Sequence, residues 1–503
     1  MVMGVLLYLS PPALFPDPSW GFQVMHSMGM GGGFNLLIKP DQADISKNTS
    51  EFLTWWSPGQ YLVPWFFKWL LGINNGQASA ITITLCQLMG LSGLYSFFKK
   101  VGFSPLIASV SIAFIACQQF YSLPYIFYSG GEILLFAYAG WFLYGCIVIQ
   151  KSGWQLILFV LFAGLTGFFC KSSVMWVYLA GLFFLWLRLS IPKRSVVEHL
   201  KNGIWIAIPA ALSLVIIYLF FLSKGQNPAS ASGQLKLSWQ TFSFPLASPL
   251  LAGFSIDDLA HGLLFHSGVP IFNIPVAIMV ITALAAISLL LVFAIIRFIP
   301  NNNYKLLILT FYAMSVMFFS YAYLRQMAIS YEARHYRVIG LIFIPGIIYL
   351  LNKLNIGYRA CFGLIWIGIA FSSFHYLVKG YRFNKTKSAH GITGMAQPFI
   401  DQPSLNQIMS LDKQQHNAIF AFASNDIGLE VTQNRILTLE QIADYDHINL
   451  EDYEYDGHAG PLYILLPASY PEKKADIILK FFPGYKDFTA VQLSDKYVLY
   501  SAK

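Results

Sequence analysis

The chain has 503 residues, of which 56% are hydrophobic, 17% are aromatic and only 11% are charged. Soluble domains carry about 25% charged residues, so the composition excludes an ordinary soluble protein and indicates a chain that crosses a membrane many times. The formal net charge is +8, but the lysines and arginines are scattered beside apolar segments and form no polybasic tract, which favours membrane topology over nucleic-acid binding as the origin of the charge.

Eleven apolar segments approach the length that spans a bilayer. A hydrocarbon core of about 30 Å requires about 20 apolar residues in a helix. The segments that fit this template are 2–15, 77–98, 104–121, 132–150, 154–170, 172–190, 203–223, 271–299, 304–324, 336–351 and 357–378. We therefore predict a polytopic all-α membrane domain of eleven transmembrane helices over residues 1–378.

Basic residues near the segment ends predict the orientation of the chain. They fall in alternate short loops, and loops rich in lysine and arginine are cytoplasmic. The remaining segments then face outward, namely residues 16–76, 121–131, 170–172, 224–270, 325–335 and the tail from residue 379. We expect a multi-pass protein of a bacterial inner membrane, with a cytoplasmic N-terminus and a periplasmic C-terminal domain.

The first outer loop, residues 16–76, has two features of a membrane surface. The stretch WGFQVMHSMGMGGGFN follows Asp17, and its glycines tolerate the left-handed backbone that a tight reversal requires. We expect this loop to fold back along the membrane and to hold Asp17 over a cavity. The segment SPGQYLVPWFFKWLLG, residues 57–72, is interrupted by Pro64 and Lys68, so an interfacial helix is predicted there.

Residues 379–503 predict a small extracytoplasmic α/β domain. The segments NAIFAFAS, GPLYILLP, FTAVQL and KYVLYSA are typical of strands, and PEKKADIILKFF is typical of a helix that begins after a proline. The acidic segment EQIADYDHINLEDYEYDG lacks the ligand alternation and the glycine of a calcium loop. A solvated surface is therefore favoured over a cation site.

Ionisable residues are concentrated on the predicted outer side of the membrane. A charge at membrane depth is costly unless it faces a cavity or a partner, so each one is a functional candidate. The candidates are Asp17 and Glu51 in the first loop, Glu132 and Lys171 at helix ends, Asp257, Asp258, His261 and His266 in the loop 224–270, and Arg325, Glu332, Arg334, His335 and Arg337 in LRQMAISYEARHYR.

This mixture of acids and bases suits a transferase that uses a lipid-phosphate donor. Lysine and arginine can hold a phosphate or pyrophosphate leaving group while a carboxylate removes the proton from an acceptor hydroxyl. The sequence contains no Walker loop, HExxH or GxSxG. His261 and His266 are five residues apart and would not share a helical face as metal ligands. No cofactor is indicated with certainty, and a divalent metal remains open.

The order of these features resembles the GT-C integral membrane glycosyltransferases, which include protein O-mannosyltransferases and bacterial lipid A aminoarabinose transferases. Asp17 followed by WWSPGQYLVPWFFKWLLG matches their acidic first loop and interfacial helix, GLTGFFCKSSVMW matches a small-residue run that leads to a lysine, and EARHYRVIGLIFIPG matches an arginine-bearing segment before a late helix. The chain departs from the pattern at Pro18, where many relatives have a second acid, and at SPG, residues 57–59, where the relatives have His/Lys-Pro-Pro.

The resemblance implies an inverting glycosyltransferase that moves a sugar from a polyprenyl-phosphate donor to a lipid, glycan or protein acceptor on the outer face of the membrane, with no nucleic-acid partner. From the charged residues of the outer side, we predict that Asp17 or Glu51 removes the proton and that Lys171, Arg325, Arg334, His335 and Arg337 bind the donor phosphate. Glu132, Asp257, Asp258 and His261 are predicted to lie in the cavity or near the acceptor.

Structural roles are the alternatives for the same residues. Asp17 could be a polar cap, Glu132 could complement a helix dipole, Lys171 could extend its ammonium group to water, and the arginines could pair with Glu332. For the whole chain, one alternative is a transporter or flippase, although the sequence shows neither internal repeats nor charges at the membrane midplane. The other alternative is an inactive GT-C-like scaffold, which would agree with the departures from the family pattern at Pro18 and at residues 57–59.

Overall fold

The computed structural model describes residues 2–193, 195–225, 234–254, 256, 272–327, 329–442 and 447–503. The described chain is mostly helical (65%). Its α-helices are Val2–Leu9, Pro16–Gly29, Gly59–Leu71, Asn75–Val101, Pro105–Ala116, Gln119–Ser122, Gly131–Val148, Trp154–Cys170, Met175–Ser190, Val196–Phe220, Gln240–Gly253, Ile274–Phe298, Asn302–Leu324, Arg337–Leu351, Ile356–Thr386, Gln402–Gln414 and Glu472–Leu479.

Within the described residues, eight helices are long and apolar enough to cross a membrane, or up to nine if one bent pair counts as a single span. The eight are Asn75–Val101, Gly131–Val148, Ser172–Lys193, Val196–Lys224, Ile274–Phe298, Asn302–Leu324, Ala333–Leu351 and Ile356–Thr386. The prediction of a polytopic, mostly helical protein is confirmed. The count of eleven spans is not.

The first predicted span, residues 2–15, is shorter than expected. The helix Val2–Leu9 has eight residues, which is too few to cross a hydrocarbon core that requires about 20. Pro11 and Pro12 follow it, and proline disfavours a helical conformation of the residue before it.

Two other predicted spans explain the rest of the difference. The segment 104–121 contains a bend of 67° between Pro105–Ala116 and Gln119–Tyr125. The helix Trp154–Cys170 is apolar but has only 17 residues. At the other extreme, the helix Ile356–Thr386 has 31 residues and extends beyond the predicted end at residue 378.

The described chain forms two compact units. One, named here the mixed unit, contains Met1–Thr84, Tyr125–Gly130 and Lys379–Lys503, and the other, named the helical unit, contains Leu85–Pro124 and Gly131–Val378. The predicted division into a membrane domain, 1–378, and a soluble domain, 379–503, concerns the position of the membrane and stays a prediction.

Small residues let two helices of the helical unit approach closely. A β-carbon built on Gly340 would lie 2.5 Å from the carbonyl carbon of Ala252 and 2.5 Å from the nitrogen of Gly253. The helix Arg337–Leu351 therefore contacts the backbone of the helix Gln240–Gly253 directly. Contacts of this kind are typical of helices that pack within membranes.

The helix Gln240–Gly253 corrects part of the predicted loop 224–270. Phe244 and Leu251 are buried in the helical unit, so this stretch is a packed element, although Pro245 and Pro249 lie inside it. The composition alone did not reveal the helix because prolines interrupt its apolar run. Much of the remaining loop lies outside the described residues.

A five-stranded sheet dominates the C-terminal part of the mixed unit. Its strands are β7 (Ile419–Phe422), β8 (Arg435–Thr438), β9 (Leu462–Pro467), β10 (Thr489–Gln492) and β11 (Tyr497–Ala502), in the spatial order β10-β11-β9-β7-β8. The strands β9, β7 and β8 run parallel, whereas β10 and β11 are antiparallel neighbours. The four predicted strands and the predicted helix, observed as Glu472–Leu479, are confirmed.

The mixed unit contains two smaller sheets. The strands β2 (Leu36–Pro40) and β3 (Asn48–Phe52) form an antiparallel hairpin. The strands β1 (Ala13–Leu14), β4 (Phe127–Tyr128), β6 (Ala396–Gln397) and β5 (Ala389–His390) form a four-stranded sheet. The segment just before the first loop thereby pairs with residues 127–128 and with a strand of the C-terminal part of the mixed unit.

The tip of the β2–β3 hairpin completes the core of the C-terminal sheet. Ile45 is fully buried among side chains that include Ile419 and Ile464. Its N–H donates to the Asp456 carbonyl oxygen at 2.7 Å, and its own carbonyl oxygen accepts from Arg435 Nη1 at 2.8 Å. The C-terminal part of the mixed unit therefore buries the side chain of Ile45 and forms hydrogen bonds with both of its backbone polar groups.

The glycines after Asp17 act at the end of the helix Pro16–Gly29. Gly31 has a φ of +91°, and the Gly32 N–H donates to the Ser27 carbonyl oxygen at 2.9 Å. A β-carbon on Gly32 would lie 2.7 Å from that oxygen. The predicted tight reversal is confirmed, and its direction along a membrane surface stays a prediction.

The predicted interfacial segment is the helix Gly59–Leu71. It buries Tyr61 and exposes Trp65, Phe66 and Trp69. The helix is confirmed, and an exposed aromatic face of this kind is typical of a membrane interface.

Candidate functional site

Glu132 and Lys171 form the centre of the candidate site in the helical unit. Glu132 lies in the first turn of the helix Gly131–Val148, and Lys171 directly follows the helix Trp154–Cys170. The Lys171 ammonium group donates a hydrogen bond to Glu132 Oε1 at 2.6 Å. The two side chains are 16% and 28% exposed, so other protein groups cover most of the pair.

Gly131 allows the two helix ends to approach. A β-carbon at Gly131 would lie 3.0 Å from the Cys170 carbonyl oxygen and 3.1 Å from Lys171 Cγ. A side chain at this position would displace the lysine stem. The chain then reverses into the short helical turn Ser172–Val174, which confirms the predicted turn at 170–172.

Arg334 contributes a second cation to the same carboxylate. Its Nη1 lies 3.7 Å from Glu132 Oε1, the oxygen that Lys171 contacts. Its Nε forms an ion pair with Glu332 Oε2, and its Nη2 donates to Glu332 Oε1 at 3.4 Å. Arg334 therefore connects the Lys171–Glu132 pair to the segment between two late helices.

Ser330 and His335 extend this network. Ser330 Oγ donates to Glu332 Oε1 at 2.8 Å and lies 3.2 Å from His335 Nε2. The same segment is supported by a stack of Tyr331 on Tyr323, with ring centroids 4.1 Å apart. These contacts fix the orientation of Glu332 and hence of the Arg334 guanidinium group.

Arg337 is held by an aromatic ring and by a backbone oxygen. Its guanidinium carbon lies 4.0 Å from the centroid of the Phe120 ring, which is a cation–π geometry. Its Nη1 donates to the Ala252 carbonyl oxygen at 3.0 Å. Arg325 follows the helix Asn302–Leu324 and is half-buried.

The mixed unit contains the two predicted proton acceptors. Asp17 is half-buried in the first turn of the helix Pro16–Gly29, where a carboxylate also complements the helix dipole. Glu51 lies on β3, and its Oε2 accepts from Lys39 Nζ at 2.8 Å, with side chains 36% and 40% exposed. The carboxylate of Glu51 is therefore engaged by a neighbouring strand.

Four predicted site residues are not described. Asp257, Asp258, His261 and His266 lie outside the described residues, so their roles stay predictions. Among the residues that the structure does describe, no group of three or more His, Cys, Asp or Glu side chains is arranged to hold a metal ion.

Sequence reasoning missed three residues that build the site. Gly131 determines the helix approach, Ser330 orients Glu332, and Phe120 supports Arg337. The two glycines before Glu132 indicate, from the sequence alone, that another part of the chain approaches the backbone closely at this point. Nothing in the sequence pairs Phe120 with Arg337, because 217 positions separate them.

The described part of the mixed unit also contains a cavity of about 200 Å³. It lies beyond the carboxyl ends of β7 and β8, and Ala423, Glu440, Tyr470 and Lys474 are among its lining residues. None of the predicted site residues is among them.

Burial changes the acid–base properties of two groups in the mixed unit. Removal from water raises the pKa of the Asp426 carboxyl above its ordinary value, against the opposing effect of the Ser424 hydroxyl. Burial likewise lowers the pKa of His26, although the nearby Asp412 acts in the opposite direction. In each case burial disfavours the charged form.

In the helical unit, two cationic side chains share one carboxylate of the chain. Lys171 and Arg334 converge on a single oxygen atom of Glu132. Arginine and lysine bind carboxylate and phosphate oxygens by the same charge-assisted hydrogen bonds. A phosphate oxygen at this position would therefore meet the same two donors.

Comparison with solved structures identifies the fold. The chain is similar to the cryo-EM structure of a mutant of the arabinofuranosyltransferase AftD from Mycobacteria, with a TM-score of 0.51, 12% identity, and coverage of 100% of this chain and 41% of AftD. It is also similar to ArnT from Cupriavidus metallidurans bound to undecaprenyl phosphate, with a TM-score of 0.47, 11% identity and coverage of 99% and 96%.

A third similar structure is the archaeal oligosaccharyltransferase AglB from Archaeoglobus fulgidus, with a TM-score of 0.42, 10% identity, and coverage of 87% of this chain and 63% of AglB. These structural neighbours are GT-C glycosyltransferases. At such low identities the likeness concerns the fold alone, and it rests on the AftD comparison. The predicted resemblance to the GT-C group is confirmed as a GT-C-like fold. No protein-family model and no curated protein sequence matches the chain.

Proposed function

We propose that this protein is an integral membrane glycosyltransferase that transfers a sugar from a polyprenyl-phosphate donor to a lipid, glycan or protein acceptor on the outer face of the membrane. The observation that carries the proposal is the convergence of Lys171 and Arg334 on one oxygen atom, in a chain with a GT-C-like fold and eight or nine apolar spans within its described residues.

The reaction needs a group that stabilises the leaving phosphate. When the acceptor oxygen attacks the anomeric carbon, the bond between that carbon and the phosphate oxygen breaks with inversion, and negative charge develops on the phosphate. Lys171 and Arg334 both present positive charge at this point, which stabilises the negative charge that develops on the phosphate. The donor phosphate would take the position of the Glu132 carboxylate, and Arg325, His335 and Arg337 are proposed as further donor contacts.

The acceptor hydroxyl also has to lose a proton. We assign this role to Asp17, the acidic residue of the first outer loop on which the resemblance to the GT-C group rests, and Glu51 of the same loop is the other candidate. The acceptor oxygen becomes a strong nucleophile only as the sugar–phosphate bond breaks, so a carboxylate is a sufficient base. A positioned base of this kind contributes about 10²–10⁴-fold to the rate.

Binding of undecaprenyl phosphate to the purified protein tests the phosphate site without knowledge of the sugar. Lys171→Met should weaken the Kd by about 10- to 150-fold, which corresponds to about 1.5–3 kcal/mol for a lost charge-assisted contact. Lys353→Met is the matched control, because Lys353 follows a different helix and lies 4.8 Å from the centroid of the Tyr349 ring. Equal affinity of the Lys171→Met protein and the wild type would reject the proposed phosphate site.

Turnover tests the transfer itself. Proteoliposomes are supplied with radiolabelled undecaprenyl-phosphate mannose, glucose, arabinose or aminoarabinose, and release of undecaprenyl phosphate is measured. The Asp17→Asn protein should bind the donor normally but lose about 10²–10⁴-fold in kcat. A collapse in Glu51→Gln instead would move the role of the base to that residue. Lipid binding without turnover of any donor by the wild type would favour the inactive scaffold.

A further inference from the structure

Asn425 connects the C-terminal sheet to the helix that carries Asp17. It lies in the turn after β7 and is 5% exposed. Its side-chain amide donates to the Pro16 carbonyl oxygen at 3.1 Å and also to Ser19 Oγ. In return, the Gln23 side-chain amide donates to the Asn425 carbonyl oxygen at 2.6 Å. All of these residues belong to the mixed unit.

The three partners of Asn425 lie along one side of the helix Pro16–Gly29. Pro16, Ser19 and Gln23 are spaced by three and four positions, which is the spacing of neighbours on a helical face. Asp17 lies between the first two of them. Asn425 therefore contacts the residues immediately before and shortly after the predicted proton acceptor.

The first turn of this helix is held from within and from outside. Phe15, the residue that precedes the helix, provides no side-chain cap, but Ser19 Oγ donates to the Pro16 carbonyl oxygen. Asn425 donates to that same carbonyl oxygen and to the same hydroxyl oxygen, so it holds both ends of the contact that closes the first turn around Asp17.

We propose that Asn425 is a positioning residue that fixes the first helical turn and thereby the orientation of the Asp17 carboxylate. The inference rests on the proposed role of Asp17 as the base. A base acts only within hydrogen-bond reach of the proton that it removes, and a misplacement of about 1 Å can cost about 100-fold in rate. The C-terminal sheet would then contribute to turnover through a residue that does not touch the donor or the acceptor.

A double-mutant cycle in kcat tests whether Asn425 acts through Asp17. Wild type, Asp17→Asn, Asn425→Ala and the double variant are compared with the undecaprenyl-phosphate sugar that gives turnover. Asn425→Ala should lower kcat by about 10- to 100-fold with an unchanged KM for the donor. The double variant should be no slower than Asp17→Asn alone, since residues that act as a unit are not additive.

Asn434→Ala is the matched control. Asn434 is also a buried asparagine, 4% exposed, in the same unit, and its amide donates to the carbonyl oxygens of Asp412 and Gln415. It should lower the unfolding temperature without changing kcat at a temperature where the protein is folded. Where Asn425→Ala fails to fold, Gln23→Met removes the partner at the other end of the contact and should reproduce the loss in kcat.

The outcomes separate this inference from the proposed function. Wild-type turnover by Asp17→Asn would overturn both. A collapse in Asp17→Asn together with wild-type kcat in Asn425→Ala, or in Gln23→Met where Asn425→Ala does not fold, would overturn the positioning role alone. So would a double variant in which the two losses multiply.

A spectroscopic measurement does not depend on the donor. A nitroxide label on Asp17→Cys, in a protein without its native cysteines, should give the spectrum of an immobilised probe in detergent. The Asn425→Ala substitution should narrow the lines of the nitroxide spectrum, because the label becomes more mobile. The Asn434→Ala substitution should leave the line widths unchanged. Unchanged lines in the Asn425→Ala protein would overturn the inference.

Discussion

Replacement of Glu132 by glutamine should destabilise the helical unit and strengthen the binding of a lipid phosphate. The substitution keeps the shape of the side chain but removes the charge that Lys171 and Arg334 share. The folded state then loses the ion pairs of Glu132 with Lys171 and Arg334, although the amide oxygen can still accept from Lys171. The two cations, in turn, become available to an external anion, so stability and binding should change in opposite senses.

The geometry gives the size of the destabilisation. The Lys171–Glu132 contact is 2.6 Å long, with side chains 16% and 28% exposed. It therefore lies between an exposed ion pair, which contributes about 0–1 kcal/mol, and a buried pair whose disruption costs about 3–5 kcal/mol. Arg334 keeps Glu332 as a partner and adds little. We expect a loss of about 1.5–3 kcal/mol, which lowers the unfolding temperature by about 2–5 °C.

Thermal unfolding in detergent and titration with undecaprenyl phosphate measure the two effects. Glu198→Gln serves as the control, because Glu198 and Lys201 are 3.9 Å apart and 40% and 58% exposed, so its loss should cost less than about 1 kcal/mol. The Kd of the Glu132→Gln protein for undecaprenyl phosphate should fall. A protein as stable as the wild type, or one that binds the lipid more weakly, would refute the reasoning.

Three further predictions concern topology, packing and pH. A membrane-impermeant thiol reagent should label Ser469→Cys but not Lys193→Cys in intact cells, and the reverse pattern would overturn the proposed orientation. Gly340→Ala should destabilise the protein by about 1–3 kcal/mol in thermal unfolding, because its β-carbon would meet the backbone of a neighbouring helix. Gly363→Ala, whose β-carbon has no neighbour within 4 Å, should not. Burial raises the pKa of Asp426, so the folded state binds more protons than the unfolded state and this residue lowers stability as the pH rises above about 4. The stability gained in Asp426→Asn should therefore grow from pH 4 towards neutrality, and a difference that is constant with pH would contradict this.

Local patterns predicted the elements whose formation depends on nearby residues. The strands β7 and β9 come from short apolar runs bounded by turn residues, and the helix Gly59–Leu71 follows from its aromatic and proline pattern. The helix Gln402–Gln414 and the strand β8 were missed. Their sequences are mixed in polarity, and their burial depends on the sheet that they pack against.

The candidate site was predictable as a set of residues but not as an arrangement. Glu132, Lys171 and Arg334 were selected because ionisable groups near apolar helices are costly without a function. Their convergence on one oxygen requires a helix crossing that brings positions 132, 171 and 334 together, and no local pattern specifies that crossing. The same limit applies to Asn425, which sequence reasoning assigned only to the C-terminal domain and which contacts residues about 400 positions earlier.

The insertion of Ile45 into the C-terminal core has a consequence for biosynthesis. About 370 residues separate Ile45 from the start of β7, and translation proceeds at about 5–20 residues per second, so the hairpin waits about 20–75 s for its partner strands to be made. During this interval the isoleucine side chain has no core to enter. A nascent chain that stalls before β7 would therefore expose the isoleucine at the hairpin tip to chaperones and proteases, whereas a finished chain buries it.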